Sequence, residues 1–322
     1  MADAGQEMGA GAGRRPSRQG FSSYSRRSML ARLQQLIVFG LLALAAGWLW
    51  LFLPAHPFVA WAGALLILLG YAVVLGIEFI LLARGHGADV TPRASRGQLW
   101  RAWWGEVRAM PRVFFWRQPF WSNAVADFLP AQAKGRGVVL VHGLFCNRGF
   151  WTPWMHALRA QNRAFVAVNL EPAWGSLDAH AGVLEDAVRR VTAATGMAPT
   201  LIGHSMGGLV VRAWMASAQA PARVHRVISI ASPHAGTWMA RFSPTVHGRQ
   251  MGLRSEWLGA LQAREAAAGY ARFVCWYSNA DNMVFPPATG SLPGADNRFV
   301  IGTAHVALAF HPRVMQESLA LL

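Results

Sequence analysis

The residues of this chain that can do chemistry lie in its second half, and the clearest of them is a serine. The stretch Gly203-His204-Ser205-Met206-Gly207-Gly208 comes after a short apolar run, Pro199-Thr200-Leu201-Ile202, and opens a helical pattern from Leu209 to Ala218. A serine at the tip of a strand-to-helix hairpin is held in a strained backbone conformation, with its hydroxyl pushed out of the sheet. Strand and helix nearly touch there, so the residues two before and two after must be small; Gly203 and Gly207 meet that need. Alone, the pentapeptide also fits a glycine-rich turn with an incidental serine. Its weight comes from the acid and the histidine further along the chain.

A serine that attacks an acyl carbon needs a base, a group to orient that base, and donors for the oxyanion. With the nucleophile on such a turn, the acid and then the histidine come later in the chain. Asp281 follows the strand-like run Phe273-Val274-Cys275-Trp276-Tyr277, and His305 follows Arg298-Phe299-Val300-Ile301-Gly302. Each stands at the carboxyl end of a predicted strand, where open parallel sheets place their sites. Asp178, Asp186 and Asp296 compete as acids, but each is better placed to cap a helix or a turn. His234, His247 and His311 also lie beyond the serine, and none directly follows a predicted strand. His204 reads as a packing residue of the elbow.

The oxyanion needs backbone N–H groups. One comes from Met206, and the other from the loop His142-Gly143-Leu144-Phe145, where Gly143 lets the chain turn close to substrate and Leu144 supplies the donor. His142 then organises the loop and is not a base.

These residues need a scaffold, and the texture from Lys134 onward supplies one. Gly137-Val138-Val139-Leu140-Val141 reads as a buried strand from its continuous β-branched run. Further strands are predicted over 165–169, 200–203, 227–230, 273–277 and 299–301, with helices near 151–159, 178–194, 209–218 and 312–321. Alternating strands and helices make this an α/β fold: a parallel sheet of about six strands with helices on both faces. Between Ile230 and Phe273 a long insertion runs from Ser232 to Ala268. Its Trp238, Met239, Phe242, Met251, Leu253, Trp257, Leu258 and Leu261 suit contact with acyl chains, or equally a helix packed onto the sheet.

The first half meets lipid. The chain is 53% hydrophobic with 15 tryptophans. Leu36–Leu53 and Phe58–Ala83 are each near the ~20 residues that cross a bilayer core, and only Glu78 breaks the second. Pro54-Ala55-His56-Pro57 joins them as a tight hairpin flanked by Trp48, Trp50 and Trp61, as interfacial aromatics are. Arg14, Arg15, Arg18, Arg26, Arg27 and Arg32 precede the hairpin; Arg84, Arg93, Arg96 and Arg101 come after it, and the turn has none. The positive-inside rule then puts both ends in the cytoplasm. Ser25-Arg26-Arg27-Ser28-Met29-Leu30 also resembles a twin-arginine export signal, which would place the domain in the periplasm; a plain positive flank is the simpler reading. Glu78, about one turn from the cytoplasmic end, is expected to reach headgroups or Arg84.

The net charge of +15 is almost wholly arginine, Lys134 being the only lysine, and it points to anionic lipid; no nucleic-acid recognition motif is present. Two cysteines make neither a disulfide framework nor a metal site. Leu99, Trp103, Val107 and Met110 fall at helical spacing among Arg101, Arg108 and Arg112. This segment suits the membrane interface, a cover over the catalytic domain, or an acyl-chain wall, with Pro111, Pro119 and Pro130 breaking the next stretch into a linker. The expected division is a basic tail over 1–30, two transmembrane helices over 31–84, an amphipathic linker over 85–134 and a catalytic domain over 135–322.

At His142-Gly143, Gly203–Gly208, Tyr277-Ser278-Asn279-Ala280-Asp281, Leu292-Pro293-Gly294-Ala295-Asp296-Asn297 and Gly302-Thr303-Ala304-His305 the chain resembles the compact bacterial lipases of the α/β-hydrolase superfamily. The resemblance covers most of residues 137–308. It implies hydrolysis of carboxylic esters, often long-chain glycerides, without a cofactor, and a lid in the 232–268 insertion. Esterases, thioesterases and acyltransferases share the same parts. Two departures stand out: family members are commonly secreted, and the acidic pattern of their calcium site has no match here. The expectation is a lipid-ester hydrolase of a bacterial inner membrane with no metal or cofactor. The alternatives are an acyltransferase, a thioesterase, or an inactive interaction module. Deleting residues 1–90 is expected to spare soluble esters and to depress activity on vesicles.

Overall fold

Val138 to Val141 carry no side chain that seeks water, and the runs that pair with them are nearly as apolar, so they form the middle layer. The computed structural model describes residues 28–216, 220–265 and 269–322; the basic tail, the Arg26-Arg27 pair and residues 217–218 of the helix expected after Leu209 lie outside them. Six strands form one sheet: β1 (Val138–Val141), β2 (Phe165–Ala167), β3 (Thr200–His204), β4 (Arg226–Ile230), β5 (Phe273–Ser278) and β6 (Asp296–Val300). Their order is β2-β1-β3-β4-β5-β6 and every neighbouring pair is parallel. The serine stretch therefore leaves the carboxyl end of a central strand.

The helices are α1 (Met29–Phe52), α2 (Pro57–Gly85), α3 (Arg96–Met110), α4 (Gln118–Trp121), α5 (Thr152–Ala160) and α6 (Ala181–Thr195), then α7 (Met206–Met215), α8 (Val246–Gln250), α9 (Glu256–Glu265), α10 (His305–Ala309) and α11 (Pro312–Ala320). Alternation along β1 divides the core. Val139 and Val141 face Leu184 and Val188 of α6 and Leu209 of α7. Val138 and Leu140 face Trp154 and Leu158 of α5 and Val314 of α11. Helices thus cover both faces, as expected. Cys146 and Cys275 are free and buried.

Helices α1 and α2 are long and apolar enough to cross a membrane, and most of their surface is exposed. Ser28 caps α1 by accepting from the Ala31 N–H at 3.0 Å. The Trp48 indole donates to the Val59 carbonyl at 3.1 Å across the hairpin, and a Cβ on Gly63 would meet that indole. The ends of both helices away from the connecting turn rest on the α/β domain. There Gln35 donates to the Pro119 carbonyl at 2.6 Å, and Phe79 and Leu82 pack with Ala280, Phe285 and Ala304.

The segment after Met110 differs from expectation. Pro111 does not stop the helix: the chain continues as a π-helical segment, Pro111–Arg117, and then as α4 to Trp121. A wider turn tolerates the missing proline N–H, and π segments often mark functional sites. The insertion likewise contains a 3-10 turn, Trp238–Phe242, with α8 and α9. Leu258 and Leu261 are buried against the sheet side, and Trp238 and Met239 pack around Phe285. Packing accounts for these four, while Phe242 and Leu253 of the same insertion are exposed.

Candidate active site

Ser205 follows β3 directly, with φ 55° and ψ −127°, and Met206 begins α7. Its N–H donates to the Ile230 carbonyl at 2.8 Å, tying the strained residue to β4. The two small residues are required by contact. A Cβ on Gly203 would lie 2.8 Å from the Gly208 nitrogen, and one on Gly207 would run into the carbonyl oxygens of Val141 and His142.

Asp281 sits in the turn after β5, buried, with Oδ1 accepting from the Met283 and Val284 N–H groups at 2.9 and 2.8 Å. Those bonds fix the carboxylate where it meets His305 Nδ1, at 2.9 Å from Oδ1 and 3.0 Å from Oδ2. His305 is the first residue of α10. Burial alone would push its imidazole down, yet the Asp281 charge and hydrogen bond, with Glu106 and Glu78 beyond, carry it above its ordinary value. The ring of His305 and Ser205 line the same cavity, of about 390 Å³.

Gly143 lies against the serine, since a Cβ there would come 2.8 Å from Ser205 Cβ. Leu144, the next residue, lines the cavity. His142 accepts from the Leu170 N–H through Nε2 at 3.1 Å, so its Nδ1–H donates to the Gly143 carbonyl at 2.9 Å. Burial pushes its pKa down to about 4, and it stays a neutral brace for the loop. Met206, opening α7, carries one of the amides that a helix start leaves without an intrahelical acceptor.

The rejected candidates have other partners. Asp178 accepts from the Trp257 indole at 2.6 Å, Asp296 pairs with Arg298 at 2.7 Å, and His234 Nε2 meets Ser229 Oγ at 2.8 Å. His204 does more than pack. It stacks on Phe150, and its Nε2–H donates to the His305 carbonyl at 3.2 Å.

Three cavity residues from the first half were missed or misplaced by sequence reasoning. Glu106 of α3 is buried and accepts from the N–H groups of Val306 at 2.8 Å and Ala307 at 3.0 Å. Burial pushes its carboxyl up to about 7 despite those bonds. Glu78 of α2 does not turn to Arg84 or outward: it accepts from Asn282 Nδ2 at 2.6 Å, and Asn282 Oδ1 accepts from the His305 N–H at 3.2 Å. Gln34 of α1 donates to the Phe145 carbonyl at 3.0 Å, in the loop that carries Leu144. A signal for Glu106 existed, because it falls on the stripe of Leu99, Trp103 and Met110 where an apolar residue was due. The remaining wall is largely apolar, including Ile37, Leu75, Met110, Phe114, Phe115 and Met251; no arginine or lysine among the described residues lines it.

Residues 138–320 match the model of the alpha/beta hydrolase family. Among solved structures the chain is similar to lipase B of Aspergillus fumigatus (TM-score 0.51, 19% identity, 59% of this chain and 54% of that one). It is also similar to the mature form of the Bacillus licheniformis lipase BlEst2 (TM-score 0.51, 14% identity, 59% of this chain and 94% of that one). The chain spans about half the length of the Aspergillus lipase. No curated protein matches. At such identities the structures speak for the fold alone, shared with a fungal and a bacterial lipase, while the family match extends over more than half of the chain: it belongs to the alpha/beta hydrolase family.

Proposed function

We propose that this protein is a membrane-anchored serine hydrolase of lipid-type carboxylic esters. The observation that carries this reading is Ser205, strained at the elbow, sharing one largely apolar cavity with a His305 that is already bound to Asp281. With Nδ1 occupied by Asp281, His305 Nε2 takes the Ser205 hydroxyl proton as Oγ attacks the ester carbonyl carbon. The oxyanion of the tetrahedral intermediate accepts from the amides of Leu144 and Met206. When the intermediate collapses, His305 returns the proton to the departing alkoxide and an acyl-serine remains. Water then attacks by the same sequence, releasing the acid and restoring the serine.

The anchor is the α1–α2 hairpin, with Pro54 to Pro57 on the far side and both arginine-bearing flanks, together with the hydrolase domain, on the cytoplasmic face of a bacterial inner membrane. Both helices leave leucine, isoleucine and phenylalanine outward along their length, which supports a lipid surround. Trp100, Trp104, Trp116 and Trp121 are exposed along α3 to α4 and fit the headgroup layer.

Detergent-solubilised protein treated with a fluorophosphonate probe tests the chemistry. Labelling is expected at Ser205 alone and absent in Ser205→Ala, whose ester hydrolysis should fall by a factor on the order of 10⁶. A correctly folded wild type that neither labels nor cleaves short-chain esters would point to the interaction-module reading. Labelling with acyl transfer to an added alcohol or thiol in preference to water would point to an acyltransferase.

A further inference from the structure

The family match begins at residue 138, yet the cavity around Ser205 draws one polar side chain from each of three helices that precede it. We propose that Gln34, Glu78 and Glu106 are positioning residues that set the two moving parts of the reaction, the oxyanion loop and His305, so that activity depends on how the three N-terminal helices are seated. This rests on the serine-hydrolase reading.

Gln34 is buried although it lies on a helix that is otherwise largely exposed. Its amide donates to the Phe145 carbonyl, and its oxygen lies 3.4 Å from Asn147 Nδ2. Phe145 has φ 54°, so the peptide following Leu144 is held in a conformation that an unsupported loop would leave. Gln34 thereby braces the oxyanion loop at the Phe145 carbonyl, two peptide planes beyond the Leu144 amide. On the opposite wall, Glu106 receives the first two amides after His305, and Glu78 reaches the His305 amide through Asn282. The backbone on both sides of the histidine is thus held by α2 and α3, which the hydrolase domain does not itself contain. A displacement of about 1 Å in such a group is enough to cost ~10²-fold in rate.

The two carboxylates have a second effect, on charge. The groups facing His305 are Asp281 from the turn after β5, Glu78 from α2, Glu106 from α3, and His204 from the end of β3, its ring 4.8 Å away. His204 is kept neutral by burial first and by the His305 charge next. Three carboxylates therefore bear on the imidazolium that forms at the transition state, and removing one makes His305 less basic. The acid limb of the kcat/KM profile, which reports free His305, must then move to lower pH.

The experiment uses the full-length protein in detergent and a soluble short-chain aryl ester, with fluorophosphonate labelling of Ser205 measured in parallel. Glu78→Gln keeps an acceptor for Asn282 and removes only charge. It should lower the acid-limb midpoint by about half a pH unit and kcat by roughly tenfold, with KM held within about twofold. Glu106→Gln leaves one of the Val306 and Ala307 amides without an acceptor and should lower kcat at least as much, but with a smaller acid-limb shift, because its carboxyl, at about 7, is protonated over part of that limb. Gln34→Leu should lower kcat and the labelling rate by ~10- to 100-fold without moving the acid limb, because it acts on the oxyanion loop. Wild-type kcat and an unmoved profile in Glu78→Gln and Glu106→Gln would overturn the inference. Should Glu106→Gln fail to fold, the Glu78→Gln profile decides alone. If the wild type itself does not label at Ser205, the serine-hydrolase reading has failed; if it labels and the variants match it, only the positioning roles have.

Discussion

A carboxyl that must be buried to do its work costs stability, and Glu106 is where that cost can be measured. Its pKa rises from an ordinary 4.5 to about 7. The native state therefore holds the proton more tightly than the unfolded chain does, and stability falls as pH climbs between those values. At about 1.4 kcal/mol per unit, the loss above neutral pH is roughly 3 kcal/mol. The melting temperature of Glu106→Gln relative to wild type is accordingly expected to rise from about pH 4.5 to pH 8, since only the wild type must ionise a buried carboxyl, while hydrolysis declines because one of the Val306 and Ala307 amides loses its acceptor. Thermal scans of the two proteins at both pH values check this; a difference that does not change between them would mean that the Glu106 carboxyl is not raised by burial. At this scale the sequence was readable where chemistry fixes the spelling. Ser205, Asp281 and His305 stand in an order and at strand ends that few other arrangements explain. Glu78 and Glu106 were less legible, because one interrupts an apolar run and the other an apolar stripe, and the partner of each lies about 200 residues away.

The strands were legible because continuous β-branched runs have few other uses, and β1, β3, β4 and β5 fall within a residue or two of their predicted spans. The π-helical segment was not, since Pro111 carries the same local signal whether it ends a helix or widens it. That difference has a consequence for substrate choice. The segment sets the adjacent residues Phe114 and Phe115 on the same cavity wall. Phe115 is braced edge-on by Tyr71 of α2 at 5.5 Å. Phe114→Ala removes a ring from the wall and should shift kcat/KM toward longer or bulkier acyl groups by roughly tenfold. A series of aryl esters of increasing chain length checks the shift, and an unchanged length preference would place the acyl chain elsewhere.

Across the whole molecule, the N-terminal helices look like an anchor in the sequence and act as part of the cavity in the structure. Removing residues 1–90 takes away Gln34, Ile37, Leu75 and Glu78, and uncovers Phe285 and Ala304. The sequence led to an expectation of activity spared on soluble esters. With these contacts in view, the truncated protein should lose at least ~10²-fold on soluble and vesicle-borne esters alike. Rates of the truncated and full-length proteins on both substrates check it, and retained activity on the soluble ester would restore the detachable-anchor reading. Periodicity and charge could mark α1 and α2 for lipid, but no local signal shows that their ends rest on another domain.

The same cavity bears on what happens after the reaction. In a chain of net charge +15, the charged side chains around Ser205 are carboxylates and one histidine, and the arginines lie elsewhere. An uncharged ester meets no opposition on entering such a place. On the proposed reading the carboxylic acid it becomes is ionised at neutral pH, and the resulting anion shares the cavity with Glu78 and Glu106 and meets no arginine or lysine there. On that reading the walls that received the substrate favour release of the product, and an added fatty acid should inhibit only weakly.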